Sequence, residues 1–412
     1  MSNRLKTKIL KLKESSTLVI NEKSKELINQ GKKVYQFGFG QSPFPVPAKI
    51  VEALKNNAHR KEYLPIQGLS KLREAISGYL QKKTRNNYPK ENILITPGSK
   101  EAMLLMHIAF NGEIIIPAPG WVSYEPQAQI GSNKVHWLET SKNNNWFPTA
   151  EDLEKKIKRI GKKKNLILIL NSPNNPSGAV CDKLEELAKV AKKYKLIVLS
   201  DEIYTDLTFE NNYKSISKYY PELTFITGGL SKWCGAGGWR LGYFIIPKNL
   251  KSIKDSLNIL ASETFSAVSA PIQYAAIKAY EGNHKKYIKS SKEILKAVGN
   301  YVYENLNSNN VLINKPQGGF YLMPEFISTK FESSSEMCKN ILETTGVALL
   351  PGSDFGFDKK KMLVRLSFTD FNGENFMKEY EKNNLEDNDL IEKLAPKVVE
   401  GVNRLKKWSE AI

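Results

Sequence analysis

The chain has 412 residues, with 61 lysines and arginines against 43 aspartates and glutamates and a formal net charge of +18. That length suits one large domain with a sizeable core plus a smaller one, and no apolar run approaches the roughly 18 residues of a membrane span. Cys181, Cys234 and Cys338 are odd in number and far apart, and they indicate neither a disulfide framework nor a metal site.

The N-terminal stretch Met1-Ser2-Asn3-Arg4-Leu5-Lys6 is basic, yet it lacks the apolar segment and small-residue cleavage site of a secretory signal. Acidic residues follow at Glu14 and Glu22, so a soluble, cytoplasmic protein is expected. The positive excess is nearly all lysine, spread along helical patterns such as 151–164 and 285–296 with no arginine cluster or interleaved aromatics. It reads as a solvated lysine face, and neither a nucleic-acid nor a membrane partner is expected.

Short apolar runs bounded by Gly, Pro or Asn alternate with longer amphipathic stretches. A strand at 92–96 precedes a helix from Ser99, and strands follow at 113–116 and 165–170. A helix at 183–194 leads to strands at 196–199 and 224–226. This alternation predicts an α/β domain whose mostly parallel sheet is flanked by helices. A long helical pattern at 283–306, strand-like pieces at 320–323 and 362–366, and a helical ending predict a smaller α+β domain. The expected division is 1–50 as an N-terminal arm and part of the small domain, 51–295 as the large domain, and 296–412 as the small one.

Ligands of open α/β sheets bind beyond the carboxyl ends of the strands, so the residues immediately after each predicted strand matter most. After 92–96 comes Gly98-Ser99-Lys100, opening a helix whose free N–H groups and positive dipole end suit a phosphate. After 113–116 comes Pro117-Ala118-Pro119-Gly120-Trp121, a rigid turn presenting a flat aromatic. After 165–170 comes Asn171-Ser172-Pro173-Asn174-Asn175-Pro176; after 196–199, Ser200-Asp201-Glu202-Ile203-Tyr204; after 224–226, Gly228-Gly229-Leu230-Ser231-Lys232.

Singly, these residues also suit a helix cap, a core aromatic, a turn or a surface lysine. In order at successive strand ends, they supply a phosphate cradle, an aromatic plate, an amide, a carboxylate, a phenol and an amine. Pyridoxal 5′-phosphate requires that inventory. Its pyridine nitrogen needs a carboxylate partner to stay protonated, a role Asp201 fits. Its aldehyde needs an amine freed of its proton by burial or neighbouring cations, a role Lys232 fits, with Ser231 beside it and Arg240 eight residues on. The same amine, once released by substrate, can move the Cα proton. No metal is called for.

The pattern resembles the class I aminotransferases of pyridoxal-phosphate fold type I, the aspartate aminotransferase relatives, along nearly the whole chain. The resemblance makes 51–295 the cofactor-binding domain, with Lys232 holding the cofactor as a Schiff base and Asp201 at the pyridine nitrogen. It places Ser99, Lys100, Ser231 and Arg240 at the phosphate end, Trp121 on the ring, and Asn175 and Tyr204 at the ring oxygen. Gly40, in Gly38-Phe39-Gly40-Gln41-Ser42-Pro43, is similar to the glycine whose backbone approaches the substrate carboxylate. Arg365, in Val364-Arg365-Leu366, resembles the arginine that clamps that carboxylate. Tyr63, in Glu62-Tyr63-Leu64-Pro65, is similar to the tyrosine that reaches the phosphate of the neighbouring subunit, which implies a homodimer with shared sites. The activity implied is transamination between an L-amino acid and a 2-oxo acid such as 2-oxoglutarate. A lyase or synthase on the same scaffold is the alternative, and a cofactor-binding regulator a third.

Three positions depart from the family pattern. Gly228 stands where relatives often have Asn, and Asn111-Gly112-Glu113 replaces a frequent Gly-Asp-Glu. Gln41-Ser42-Pro43 stands where Glu-Pro-Asp is frequent, and it and Gly228 are expected to bear on substrate preference. No arginine precedes Ser262-Glu263-Thr264-Phe265-Ser266, where one aspartate-selective subgroup draws its side-chain partner. A lysine elsewhere, or an apolar or aromatic substrate, is expected instead.

Overall fold

The computed structural model describes residues 6–10, 12, 14, 16–161, 164–210, 213–380 and 388–412. Seven strands make its central sheet: β1 (Ile93–Thr96), β2 (Glu113–Pro117), β3 (Val135–Leu138), β4 (Leu166–Asn171), β5 (Ile197–Asp201), β6 (Thr224–Gly229) and β7 (Gly242–Ile245). Their spatial order is β1-β7-β6-β5-β4-β2-β3. β7 runs antiparallel to both neighbours, β1 and β6, while β2 through β6 pair in parallel, so all strands but β7 point one way.

Two of these strands were not among the predicted ones. β3 is a four-residue edge strand only partly buried, Val-His-Trp-Leu, so it carries no continuous apolar signal. β7 comes after the glycine-rich Gly235–Gly238 turn, and its pairing is set by distant partners rather than by local pattern. Because β7 enters the sheet from the carboxyl edge of the others, the residues just before it lie between the ends of β1 and β6.

The apolar runs of β4 to β6 are buried on both faces because helices cover both sides. Leu94, Ile114, Ile116, Ile167, Ile169, Leu199, Phe225 and Phe244 pack on one face against the Ser99–Ala109 and Lys251–Thr264 helices. The alternate residues Ile115, Leu168, Leu170 and Val198 face the Ala150–Ile160 and Leu184–Lys193 helices on the other. Thr149 starts the former helix with a reciprocal cap to Asp152. The winding reverses between β2, which leads outward to β3, and β4, which leads inward to β5. Such a reversal opens a crevice at the strand ends.

The C-terminal third is α+β. It holds β8 (Val311–Leu312), β9 (Tyr321–Leu322), β10 (Glu325–Phe326), β11 (Leu350–Pro351) and β12 (Val364–Ser367). β11-β12-β9 form an antiparallel sheet and β10-β8 a pair. The Ser334–Thr345 and Pro396–Glu410 helices pack together beside them, and the Lys285–Leu306 helix joins this part to the preceding one. Tyr35 bridges in parallel to Val347, so the N-terminal segment adds an edge here. Several lysines lie on solvent-facing helix turns in (i, i+4) ion pairs, among them Lys155–Glu151, Lys189–Glu185 and Lys378–Glu374. No helix among the described residues is long and apolar enough to cross a membrane.

Candidate active site

A cleft of about 460 Å³ opens at the carboxyl edge of the sheet, closed on its far side by β9, β12 and the N-terminal glycine motif. It is lined by every sequence-predicted site residue except Tyr63. Tyr63 sits in a loop with 96% of its surface exposed, which is unusual for a tyrosine within a single chain.

At one end, the Ser99–Ala109 helix points its free N–H groups into the cleft. Gly98, its cap, has φ +84°, and a Cβ there would lie 2.2 Å from the Arg240 Nη2. Only glycine lets the guanidinium come so near. Arg240 donates to Pro97 O at 3.0 Å, to Gly237 O at 2.9 Å and to Ser231 Oγ at 3.5 Å, tying the ends of β1 and β6 together just before β7. Lys100 holds its ammonium 5.2 Å from the centre of the Trp121 ring. Burial, and the nearby Arg240 charge, lower its proton affinity below the lysine norm.

In the middle lies Asp201, 4% exposed, at the last position of β5. Its Oδ2 accepts from the Tyr124 hydroxyl at 2.8 Å, and its Oδ1 has a long contact, 3.4 Å, from Ile203 N. Loss of water raises its pKa to about 6, although Tyr124, the Ile203 N–H and the Lys232 charge pull the other way. Asn171, at the end of β4, donates to Asp201 O at 2.9 Å and accepts from Asn175 N at 2.7 Å.

At the other end, Lys232 donates to Gly40 O at 2.9 Å and lies 5.4 Å from the centre of the Tyr204 ring. Asn175 Nδ2 donates to Tyr204 OH at 3.4 Å, and Tyr204 and Tyr321 hydroxyls sit 3.2 Å apart. Tyr204 is buried enough that its hydroxyl keeps its proton well beyond the usual range. Arg365, 1% exposed, donates to Asn175 Oδ1 at 3.2 Å and to Gly38 O at 2.6 Å, while its Nε has no partner. Its guanidinium stacks 4.8 Å from the Tyr321 ring centre. A Cβ on Gly40 would fall 1.9 Å from the Tyr321 hydroxyl, so that position requires glycine.

Pyridoxal phosphate fits this donor set. Its phosphate dianion would suit the helix N-terminus and Arg240, its basic ring nitrogen the buried carboxylate with a weakly used oxygen, and its ring oxygen the amide and the phenol. The orphaned Nε of Arg365, a buried cation whose hydrogen bonds go only to neutral acceptors, leaves capacity for a carboxylate. Among the described residues no group of three His, Cys, Asp or Glu side chains is arranged to hold a metal.

Tyr124, Asn171 and Tyr321 line or support the cleft and were not picked out from sequence. Tyr124 stands three residues after Trp121, in the first turn of the helix that follows it, and no spacing rule marks it. Tyr321 lies in a predicted strand, but its pairing opposite Ser367, two residues past Arg365, is a tertiary fact. Gly228, expected to bear on substrate preference, does not line the cleft. The space an Asn side chain would need there is filled by Tyr243, whose hydroxyl would lie 2.3 Å from an added Cβ. Gln41 does line it.

The family described as aminotransferase class I and II matches residues 32–377. The chain is 32% identical to an aspartate aminotransferase of Thermotoga maritima, over 86% of this chain and 92% of that relative. It is 30% identical to an asparagine–oxo-acid transaminase of Streptococcus mutans, over 89% and 94%. Among solved structures, an aspartate aminotransferase from Thermus thermophilus with maleate superposes at TM-score 0.84, with 25% identity over 98% of this chain and 99% of that one. An alanine aminotransferase from Pyrococcus furiosus superposes at TM-score 0.86, with 26% identity over 99% and 100%.

Proposed function

The chain belongs to the class I and II aminotransferase family and is a pyridoxal-phosphate-dependent transaminase, and from that premise we propose that its donor is an acidic L-amino acid and its acceptor 2-oxoglutarate. The observation that carries this reading is the Lys100 ammonium, which lines the same cleft as Arg365 and sits 5.2 Å from the centre of the Trp121 ring. Of the four cations that line the cleft, Arg240 and Lys232 are assigned to the cofactor, which leaves Lys100 and Arg365 for a substrate with two carboxylates. The relatives named for aspartate and the neighbour with maleate, a dicarboxylate, support the same choice.

When bound, pyridoxal phosphate supplies an aldehyde for amine capture and a ring that accepts the electron pair left at the substrate Cα. In this reading Asp201 keeps a proton on the ring nitrogen, and Trp121 covers a ring face. Tyr204 and Asn175 donate to the ring oxygen. Ser99, the Lys100 backbone N–H, Ser231 and Arg240 hold the phosphate end. Arg365 grips the substrate α-carboxylate with its planar fork, aided by Asn175 and the close backbone of Gly40. Lys232, held near Gly40 O, would take the proton from the substrate Cα and deliver it to the cofactor's C4′ carbon.

The same reading makes the protein a homodimer, in which the exposed Tyr63 reaches the partner's phosphate end. It also assigns 51–295 as the cofactor-binding domain and 296–412 with part of 1–50 as the small domain, supported by the Tyr35–Val347 bridge. A cytoplasmic location fits the three free, buried cysteines.

Mixing the pyridoxal-phosphate-loaded protein with single amino acids tests the function. Aspartate or glutamate should yield one equivalent of 2-oxo acid and no ammonia. Ammonia release, or a response confined to apolar donors, would overturn the reading.

A further inference from the structure

Asp201 is the group on which the cofactor's ring chemistry depends, yet nothing in its own strand fixes its side chain. Its carboxylate has two oxygens and two contacts. Oδ2 takes a short bond from Tyr124 and Oδ1 a long one from a backbone N–H. We propose that the Tyr124 hydroxyl is a positioning group for the ion pair between Asp201 and the cofactor's ring nitrogen, occupying one carboxylate oxygen so that the other is turned to the cleft. The inference rests on the role proposed above for Asp201.

The surroundings of Tyr124 suit that duty. It is 1% exposed, and its N–H donates to Trp121 O at 3.0 Å. Its ring meets Trp121 edge to face, with centroids 5.5 Å apart and planes at 81°. The helix it begins, Tyr124–Ile130, is pinned to the phosphate-end helix by Gln127 Nε2 donating to Lys100 O at 2.7 Å. One short segment thus carries the aromatic plate, braces the phosphate end and holds the acid. Burial and the Asp201 charge keep the phenol protonated well past its usual range, so it stays a donor.

A hydroxyl donating to a desolvated carboxylate stabilises its charged form. The other ionisable groups acting on Asp201 are Glu202, which opposes that form, Lys232, which favours it, and Tyr204, whose neutral phenol lies nearby. Tyr124→Phe removes the donor while keeping the ring and its contact with Trp121.

The test is a double-mutant cycle with Tyr124→Phe, Asp201→Asn and both together, read by the dissociation constant of pyridoxal phosphate from the otherwise unloaded protein. We expect Tyr124→Phe to weaken binding about tenfold, Asp201→Asn more, and the double variant no further than Asp201→Asn alone. Thermal stability against pH gives a second readout. Tyr124→Phe should move the Asp201-dependent midpoint upward by about one pH unit, whereas a merely structural role would lower stability equally at every pH. Binding within twofold of wild type, an unmoved midpoint, or additive effects would overturn the inference. If Asp201→Asn itself leaves binding unchanged, the Asp201 reading fails and this one falls with it.

Discussion

The Lys232 ammonium donates to the carbonyl of Gly40 at 2.9 Å, joining the end of β6 to a motif 192 positions earlier. That contact places the amine proposed to react beside the backbone proposed to meet the substrate carboxylate. It also crosses from the central sheet to the N-terminal segment, so the geometry around Lys232 depends on both parts holding together.

Arg365→Lys keeps the buried charge and removes the planar fork. Steady-state kinetics should give a kcat/KM for the amino donor reduced about a hundredfold. Pyridoxal phosphate affinity should be unchanged, because the residue is proposed to touch substrate and not cofactor. A loss of cofactor binding would move Arg365 to a different role.

Lys100→Met separates the two duties open to that residue. If its ammonium receives the distal carboxylate, kcat/KM for aspartate should fall about a hundredfold while alanine changes by only a few-fold. An equal loss for both substrates, with weakened cofactor affinity, would assign the ammonium to the phosphate instead.

The raised pKa of Asp201 carries a sign for stability. Burial lifts the carboxyl from its ordinary 3.8 to about 6 in the folded, cofactor-free protein, so folding favours the protonated form. Its contribution is therefore full below the unfolded value and is lost as pH rises through about 6. The stability of wild type minus that of Asp201→Asn should fall between pH 4 and 7 by at most about 3 kcal/mol. Denaturant melts across that window check it; a flat difference would mean that Asp201 is ionised throughout.

Tyr63→Ala and Lys232→Ala test whether sites are shared between subunits. Mixed and allowed to exchange chains, the two weakly active proteins should recover about a quarter of wild-type activity, since half the dimers then hold one intact site of two. No recovery under conditions where exchange is demonstrated would place Tyr63 in its own subunit's chemistry or in none.

Much of this site was legible because of how a parallel sheet is built. Buried on both faces, β1, β2, β4, β5 and β6 read as apolar runs, and their ends were marked by Gly98, Pro117, Asn171, Asp201 and Gly229. What escaped was set by tertiary pairing. β7 has no local signature of its direction, so Arg240 could be placed by likeness to a motif but not by topology. Tyr124 and Tyr321 act through single hydroxyls whose partners, Asp201 and Tyr204, are 77 and 117 positions away. The space beside Gly228 belongs to Tyr243 on the neighbouring strand, a fact visible only once β6 and β7 pair.

The central claim is that Lys232 binds the cofactor and moves the proton. Borohydride reduction of the pyridoxal-phosphate-loaded protein, with peptide mass spectrometry of the product, tests it most directly, and single-turnover conversion of aspartate by Lys232→Ala is run alongside. The account predicts one labelled peptide, centred on Lys232, and a rate in the variant reduced by at least about 10³-fold. Label on another lysine, or undiminished conversion by Lys232→Ala, would contradict it.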